Sequence, residues 1–222
     1  MSGVLSRPAA VVLDLDGTLV DSVGARIEAW LRTFAEEGIP ADRAFVESLI
    51  GSDGRQLARQ VAQKAGVALD EERTERIDVR SGAIYSQLNA NPRPLPGVAT
   101  FLDALDEASI PWAIGTSSRR EHAGPSVAAL GRTRPILIVD GTAVQRAKPH
   151  PDLLLAAASA LETHHTGCWC VGDSKWDVQA AAAAGMPSVA VTAGSVLTAD
   201  QLRDAGADLV VSTMDELVPY LK

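Results

Sequence analysis

Short apolar segments alternate with helical segments over most of the chain, and this alternation limits the possible folds more than any other feature. A first strand is predicted at residues 8–13. Five further strands are predicted at 111–115, 135–139, 168–171, 188–191 and 208–211, with helical patterns between them near 98–108, 119–130, 151–161, 175–185, 199–205 and 214–221. This order predicts an α/β fold, a Rossmann-like parallel sheet covered on both faces by helices.

The stretch between the first two predicted strands has only helical patterns. Ile27, Trp30 and Phe34 recur at helical spacing, and similar patterns continue toward residue 88. Three prolines within residues 92–96 end this stretch, because proline has no backbone N–H and breaks a helix. We therefore expect an all-helical cap domain, residues 20–94, inserted after the first strand of a core formed by residues 1–19 and 95–222.

Composition and charge exclude several classes of partner. The chain has 20 Lys and Arg against 28 Asp and Glu, a net charge of −8 without a basic run, which argues against nucleic-acid binding. No segment reaches about 18 uninterrupted apolar residues, and the N-terminus has no signal-peptide pattern. We expect a cytoplasmic protein that does not enter a membrane, and the sequence indicates no oligomeric state.

Polar side chains follow several of the predicted strands. In an open parallel sheet, ligands bind at the carboxyl ends of the strands. Asp14 and Asp16 end the first strand, Thr116 and Ser117 the second, Lys148 follows the third, and the fourth is followed by Asp173 and Asp177. Each feature alone has an ordinary explanation, such as a surface Asp-x-Asp, a solvated lysine or a helix N-cap. Their convergence on one edge predicts a functional site.

The types of residue at this edge predict phosphoryl transfer. Carboxylates suit Mg²⁺, which keeps water and phosphate oxygens among its ligands. Of two neighbouring carboxylates, one can attack phosphorus and the other can act as general acid and base. A hydroxyl can bind a phosphoryl oxygen, and Lys148 can neutralise the charge that develops on it.

Four segments resemble the motifs of the haloacid dehalogenase-like (HAD) superfamily. The run from Asp14 to Ser22, with sequence DLDGTLVDS, is similar to the first motif, Thr116 to the second, Lys148 in AKPHPD to the third, and residues 172–177, GDSKWD, to the fourth. The helical insert is similar to the small cap of the phosphoglycolate phosphatase and β-phosphoglucomutase branch. The order and spacing of these four motifs agree with those of the superfamily over nearly the whole chain.

The resemblance implies a role for each motif residue. Asp14 is expected to be the nucleophile that forms an aspartyl-phosphate and a ligand of Mg²⁺. Asp16 is expected to be the general acid and base and to bind the metal through its carbonyl oxygen, while Asp173 completes the metal site. Thr116 and Lys148 are expected to bind the phosphoryl group. Asp177 is expected to orient the metal site without binding the metal itself. Asp16 also excludes the dehalogenases of the superfamily, which lack an acid there.

Two activities share this chemistry. A phosphatase transfers the phosphoryl group to water, whereas a phosphosugar mutase transfers it to a second sugar hydroxyl. Trp30 and the Ser117-Ser118-Arg119 segment resemble the mutases, but those enzymes have a histidine where this chain has Arg26, and Arg55 is an ambiguous counterpart of their cap arginine.

We therefore expect a magnesium-dependent phosphatase for a small phosphorylated metabolite, similar to phosphoglycolate or a sugar phosphate. A β-phosphoglucomutase-like mutase is the alternative, and a non-catalytic binding protein on the same fold is a weaker one. The cap should close over the site and exclude water. The candidates for substrate contacts are Ser117 in the core and, in the cap, Trp30, Ser52, Arg55 and Gln56.

Overall fold

A computed structural model describes residues 5–222 and shows a six-stranded sheet in the order β3-β2-β1-β4-β5-β6, with every neighbouring pair parallel. The strands are β1 (Ala10–Leu13), β2 (Trp112–Thr116), β3 (Ile138–Asp140), β4 (Cys168–Gly172), β5 (Ser188–Val191) and β6 (Leu209–Val211). The helices are α1 (Val23–Glu36), α2 (Arg43–Glu47), α3 (Gly54–Lys64), α4 (Glu71–Leu88), α5 (Val98–Glu107), α6 (Arg120–Ala129), α7 (Asp152–Ala160), α8 (Lys175–Ala184) and α9 (Ala199–Asp204). The predicted α/β fold class is confirmed.

Helices cover both faces of this sheet. Successive side chains of a strand point to opposite faces. In β1, Val11 and Leu13 therefore pack into one apolar cluster with α5, whereas Ala10 and Val12 pack into another with α7 and α8. All four residues are buried. Burial on both faces explains why this strand is uniformly apolar in sequence rather than alternating.

The four helices α1–α4 lie between β1 and β2 in the chain and are called the helical insert below. They have an apolar cluster of their own, which includes Phe34, Val61 and Ile77. Trp176 at the start of α8 packs into the same cluster, so the helical insert rests against the helix that follows β4. Asp42, Asp53 and Asp70 cap the N-termini of α2, α3 and α4, since each carboxylate accepts a backbone N–H of the first turn.

The predicted helical stretch at residues 214–221 is a 3₁₀ helix, Met214–Leu221. Pro219 lies inside it, and proline cannot donate the backbone hydrogen bond that continues an α-helix. Among residues 5–222, no helix combines the length and the apolar character needed to cross a membrane.

Candidate active site

Three buried carboxylates and one buried lysine meet at the carboxyl edge of the sheet. Oxygen atoms of Asp14, Asp173 and Asp177 all lie within 4.8 Å of one another. The Lys148 ammonium lies 2.6 Å from Asp14 Oδ1 and 2.6 Å from Asp177 Oδ1, and it donates to the Gly115 carbonyl oxygen at 3.1 Å. The lysine side chain is only 1% exposed, so this contact is shielded from water.

Local structure fixes the first and last of these carboxylates. Asp14 continues β1, and its N–H donates to the Val171 carbonyl oxygen of β4 at 2.9 Å. Asp177 is the third residue of α8 and forms a capping box with Ser174, whose N–H donates to Asp177 Oδ2 at 3.1 Å. The Asp177 carboxylate therefore binds the helix N-terminus through one oxygen and Lys148 through the other.

Asp173 follows β4 and is held in the cluster by contacts with the turn after β1. Thr18 Oγ1 donates to Asp173 Oδ1 at 2.9 Å. Gly17 has φ +86°, and a Cβ atom at this position would lie 2.4 Å from Asp173 Oδ2 and 2.6 Å from Val23 Cγ2. Glycine is thus required for two reasons, since it adopts this conformation without strain and leaves space for the carboxylate.

The cluster carries an excess of negative charge. Burial raises the pKa of Asp14 to about 7 against the opposing effect of Lys148. Burial, with the charges of Asp177 and Asp14, raises the pKa of Asp173 well above its ordinary value. Burial alone would lower the pKa of Lys148, but the charges of Asp14 and Asp177 outweigh it and raise that pKa. One lysine therefore faces three carboxylates that repel one another.

This donor set fits a hard divalent cation. Carboxylate oxygens are the ligands that Mg²⁺ prefers, and a cation would offset the burial and the mutual repulsion that raise the pKa values of Asp14 and Asp173. Asp177 is less free to bind a cation, because both of its oxygens already contact Ser174 or Lys148. The geometry thus favours Asp14 and Asp173 as ligands and Asp177 as a group that holds Lys148.

Asp16 lies in a separate polar network. Its carboxylate accepts hydrogen bonds from Ser22 at 2.6 Å, from Ser118 at 2.6 Å and from Arg26 at 2.8 Å, and also from the Tyr85 hydroxyl. Burial by itself raises the pKa of this carboxyl, but the charge of Arg26 and these hydrogen bonds lower it to about 2.

The Arg26 guanidinium also lies 3.4 Å above the centre of the Tyr85 ring. Arg26 and Tyr85 belong to α1 and α4, so two helices of the helical insert contact the Asp16 carboxylate directly. In this arrangement Asp16 is ionised at neutral pH, and its oxygens are occupied by donors.

A cavity of about 290 Å³ opens from Asp14 and Asp16 between the sheet edge and the helical insert. Most of the predicted binding residues line it, namely Thr116, Ser117, Trp30, Ser52 and Arg55. Gln56 does not line the cavity; its backbone N–H binds the Asp53 carboxylate in the first turn of α3. The predicted substrate contact of Gln56 is therefore not supported by its position.

Several residues at this site were given no specific role from the sequence, although Ser118 and Arg119 lie in the segment that resembles the mutases. Tyr85 and Ser118 bind Asp16, and Asp78, Ser81 and Arg119 line the cavity. On α4, Asp78, Ser81 and Tyr85 recur at three- and four-residue spacing, which places polar groups along one face of a helix. That stripe was the available signal, although it does not say which residues it faces.

A parallel sheet with buried carboxylates, a buried lysine and an adjoining cavity at its carboxyl edge is the arrangement expected of an enzyme that acts on phosphoric esters. Comparisons with known proteins agree. The family model for haloacid dehalogenase-like hydrolases matches residues 11–191. A phosphoglycolate phosphatase of Xanthomonas campestris is 32% identical over 212 residues, 95% of each chain.

Two further proteins are similar over nearly the whole chain. A β-phosphoglucomutase of Bacillus subtilis is 29% identical over 217 residues, 94% of this chain and 91% of its own. The crystal structure of a hydrolase from Pseudomonas syringae superposes with a TM-score of 0.90 at 30% identity, covering 96% of this chain and 97% of the other. The chain belongs to the haloacid dehalogenase-like hydrolases. Within them it is a phosphoric monoester hydrolase.

Proposed function

We propose that the protein is a magnesium-dependent phosphatase that hydrolyses a small phosphorylated metabolite through an aspartyl-phosphate on Asp14. The observation that supports this proposal best is the contact of the Asp14 carboxylate with Lys148, 2.6 Å away, beside Asp173 and on the wall of the cavity. Besides balancing the carboxylate cluster, this ammonium group can bind the phosphoryl oxygens while Asp14 reacts.

In the first step, a carboxylate oxygen of Asp14 attacks phosphorus and the bond from phosphorus to the ester oxygen breaks. Asp16 gives a proton to that leaving oxygen, so the product leaves as an alcohol. Lys148 and the Thr116 hydroxyl stabilise the charge on the phosphoryl oxygens. Asp14 and Asp173 would hold Mg²⁺, which supplies charge neutralisation at the phosphoryl group.

In the second step, water attacks the aspartyl-phosphate and Asp14 is released. Asp16, now ionised, takes the proton from this water. The contact between Arg26 and Asp16 opposes proton donation in the first step, because it helps to hold the pKa of the Asp16 carboxyl at about 2. Asp16 must therefore lose this contact before it acts as an acid, and movement of α1 relative to the sheet would remove it.

The proposal includes a cap function for residues 20–94. Contacts of the helical insert with the core support it, since Arg26 binds Ser118 at 2.7 Å, Asn89 binds Ser126 at 3.0 Å and Ser117 donates to the Gly51 carbonyl oxygen at 3.4 Å. These three contacts are polar, and polar contacts can be replaced by contacts with water when two surfaces separate. Opening would also have to separate Trp176 from the apolar cluster of the insert. Closure over the substrate would exclude water while Asp14 reacts.

The test is phosphate release from p-nitrophenyl phosphate or acetyl phosphate by the purified protein with Mg²⁺. We expect turnover that is lost on chelation and lost in Asp14→Asn, which keeps the shape of the side chain but removes the nucleophilic charge. An exposed carboxylate serves as the matched control, and Asp200→Asn should retain full activity. Activity that survives Asp14→Asn would contradict the nucleophile.

Mutase activity is tested separately with β-glucose 1-phosphate and a bisphosphate primer. We expect net release of phosphate. Formation of glucose 6-phosphate without phosphate release would replace the phosphatase proposal with the mutase.

A further inference from the structure

The part of the cavity wall that the helical insert contributes is rich in carboxylates. We call this surface the insert wall and define it by Asp53, Arg55, Glu75, Asp78 and Ser81, all of which line the cavity. The core contributes one cation here, Arg119, which precedes α6. These three carboxylates face two guanidinium groups, a net charge of −1. Arg26 of α1 also lines the cavity, but its charge is balanced by Asp16, 2.8 Å away.

Both guanidinium groups are already paired with these carboxylates. Arg119 Nη2 lies 2.5 Å from Glu75 and 2.8 Å from Asp78, and its Nε donates to Asp78 at 3.1 Å. Arg55 lies 3.3 Å from Asp53. A second anionic group on a substrate would have to displace one of these carboxylates and leave it unpaired, which is costly in a partly buried site.

The position of Asp78 on this wall depends on a glycine opposite it. A Cβ atom on Gly54, the first residue of α3, would lie 1.9 Å from Asp78 Oδ1. Any larger residue at Gly54 would therefore push the carboxylate away from the start of α3. The close approach of α3 and α4 at this point holds Asp78 beside Arg119 and at the cavity.

Ser81 provides an independent indication of a ligand. Its side chain is 1% exposed, and its hydroxyl has no hydrogen-bond partner among residues 5–222. It lies one turn after Asp78 on α4 and lines the same cavity. An unsatisfied buried hydroxyl is unfavourable, so a polar ligand group that binds it would be stabilised.

From this wall we infer that the substrate is a polyhydroxylated phosphate monoester without a second anionic group, such as a neutral or amino sugar phosphate. Hydroxyl groups satisfy Ser81 and the carboxylate oxygens, whereas a carboxylate or a second phosphate meets net negative charge. This inference rests on the proposed phosphatase function and specifies its substrate class. It favours sugar phosphates over phosphoglycolate-like compounds.

Three ligands with the same carbon count and the same phosphate position test the role of charge. They are 6-phosphogluconate, glucitol 6-phosphate and 2-amino-2-deoxyglucitol 6-phosphate, which are all open-chain and carry a carboxylate, no further charge or an amine. Their dissociation constants are measured by titration calorimetry with Mg²⁺ on the Asp14→Asn protein, which binds without turnover. We expect 6-phosphogluconate to bind about tenfold more weakly than glucitol 6-phosphate, and the amino compound to bind at least as tightly as glucitol 6-phosphate.

Charge-removing variants of the insert wall localise the effect. Asp78→Asn and Glu75→Gln should each reduce the discrimination against 6-phosphogluconate by about threefold, and Glu72→Gln on the same helix should not, because Glu72 does not line the cavity. Glu75 is more exposed than Asp78, so Glu75→Gln tests the inference even if Asp78→Asn fails to fold.

Three results would overturn the inference. They are equal or tighter binding of 6-phosphogluconate, discrimination that neither insert-wall variant changes, and no binding of any of the three ligands. Failure of the proposed function is a separate observation, because it appears as absence of Asp14-dependent hydrolysis of p-nitrophenyl phosphate by the unmodified chain.

Discussion

Lys148→Met tests whether the buried lysine balances the carboxylate cluster. Methionine keeps the length and most of the volume of the side chain but removes its charge. The ammonium lies 2.6 Å from both Asp14 and Asp177, and all three side chains are at most 8% exposed. Their interaction is therefore weakly screened by solvent, and its loss leaves three carboxylates without a cation.

The expected loss of stability follows from this burial. Removing one partner of a buried ion pair costs about 3–5 kcal/mol. At about 2–4 °C per kcal/mol for a chain of this size, the melting temperature of the metal-free protein should fall by about 6–20 °C. Phosphatase activity should fall at least about 100-fold, because the charge on the phosphoryl group is no longer neutralised.

The loss should depend on pH in a defined direction. Burial already raises the pKa of Asp14 to about 7, and without Lys148 this pKa rises further. A carboxyl group whose folded-state pKa is raised contributes most stability when it is protonated, and this contribution is lost as pH rises from about 4 through the folded-state pKa. The loss of stability caused by Lys148→Met should therefore be larger at pH 8 than at pH 5.

The assay is thermal unfolding followed by circular dichroism at both pH values, with and without Mg²⁺. Added Mg²⁺ should restore part of the stability at pH 8, because it supplies positive charge to the ionised carboxylates. Lys64→Met removes a lysine outside this cluster, beside the Phe45 ring, and serves as the control. A melting temperature within about 2 °C of the unmodified protein at pH 8 would refute the reasoning, since this is roughly a third of the smallest shift expected for one lost buried pair.

Two further variants probe the geometry around the cluster. Gly17→Ala should lower kcat at least about 100-fold, because its Cβ would lie 2.4 Å from Asp173 Oδ2 and would displace this carboxylate. A displacement of about 1 Å at a reacting site costs roughly that much in rate. Near-normal turnover would contradict the close approach. Arg26→Met should raise the pKa of the Asp16 carboxyl, now about 2, by about 1–3 units, since the opposing charge is lost and burial remains. Carbon-detected NMR titration of the carboxyl measures this, and an unchanged pKa would show that Arg26 does not control it.

The predicted core of the fold is confirmed because its signals are local. Strands such as β1 are short and uniformly apolar, and this pattern follows from burial on both faces of a parallel sheet. Once the strands are known to be parallel, their carboxyl ends must meet at one edge. Asp14, Lys148 and Asp173 were therefore predicted to converge without knowledge of any distance.

The sequence by itself determined the fold class, the family and the chemistry available at the sheet edge, since these depend on periodicity and on motifs of a few neighbouring residues. Only the tertiary structure decided that Tyr85 and Arg26 bind Asp16, and that Arg119 pairs with Asp78. Tyr85 is 69 residues from Asp16, and Arg119 is 41 residues from Asp78. Helical periodicity shows that a polar residue faces inward, but its partner depends on how the helix packs against the loops at the sheet edge, and no local pattern encodes that packing.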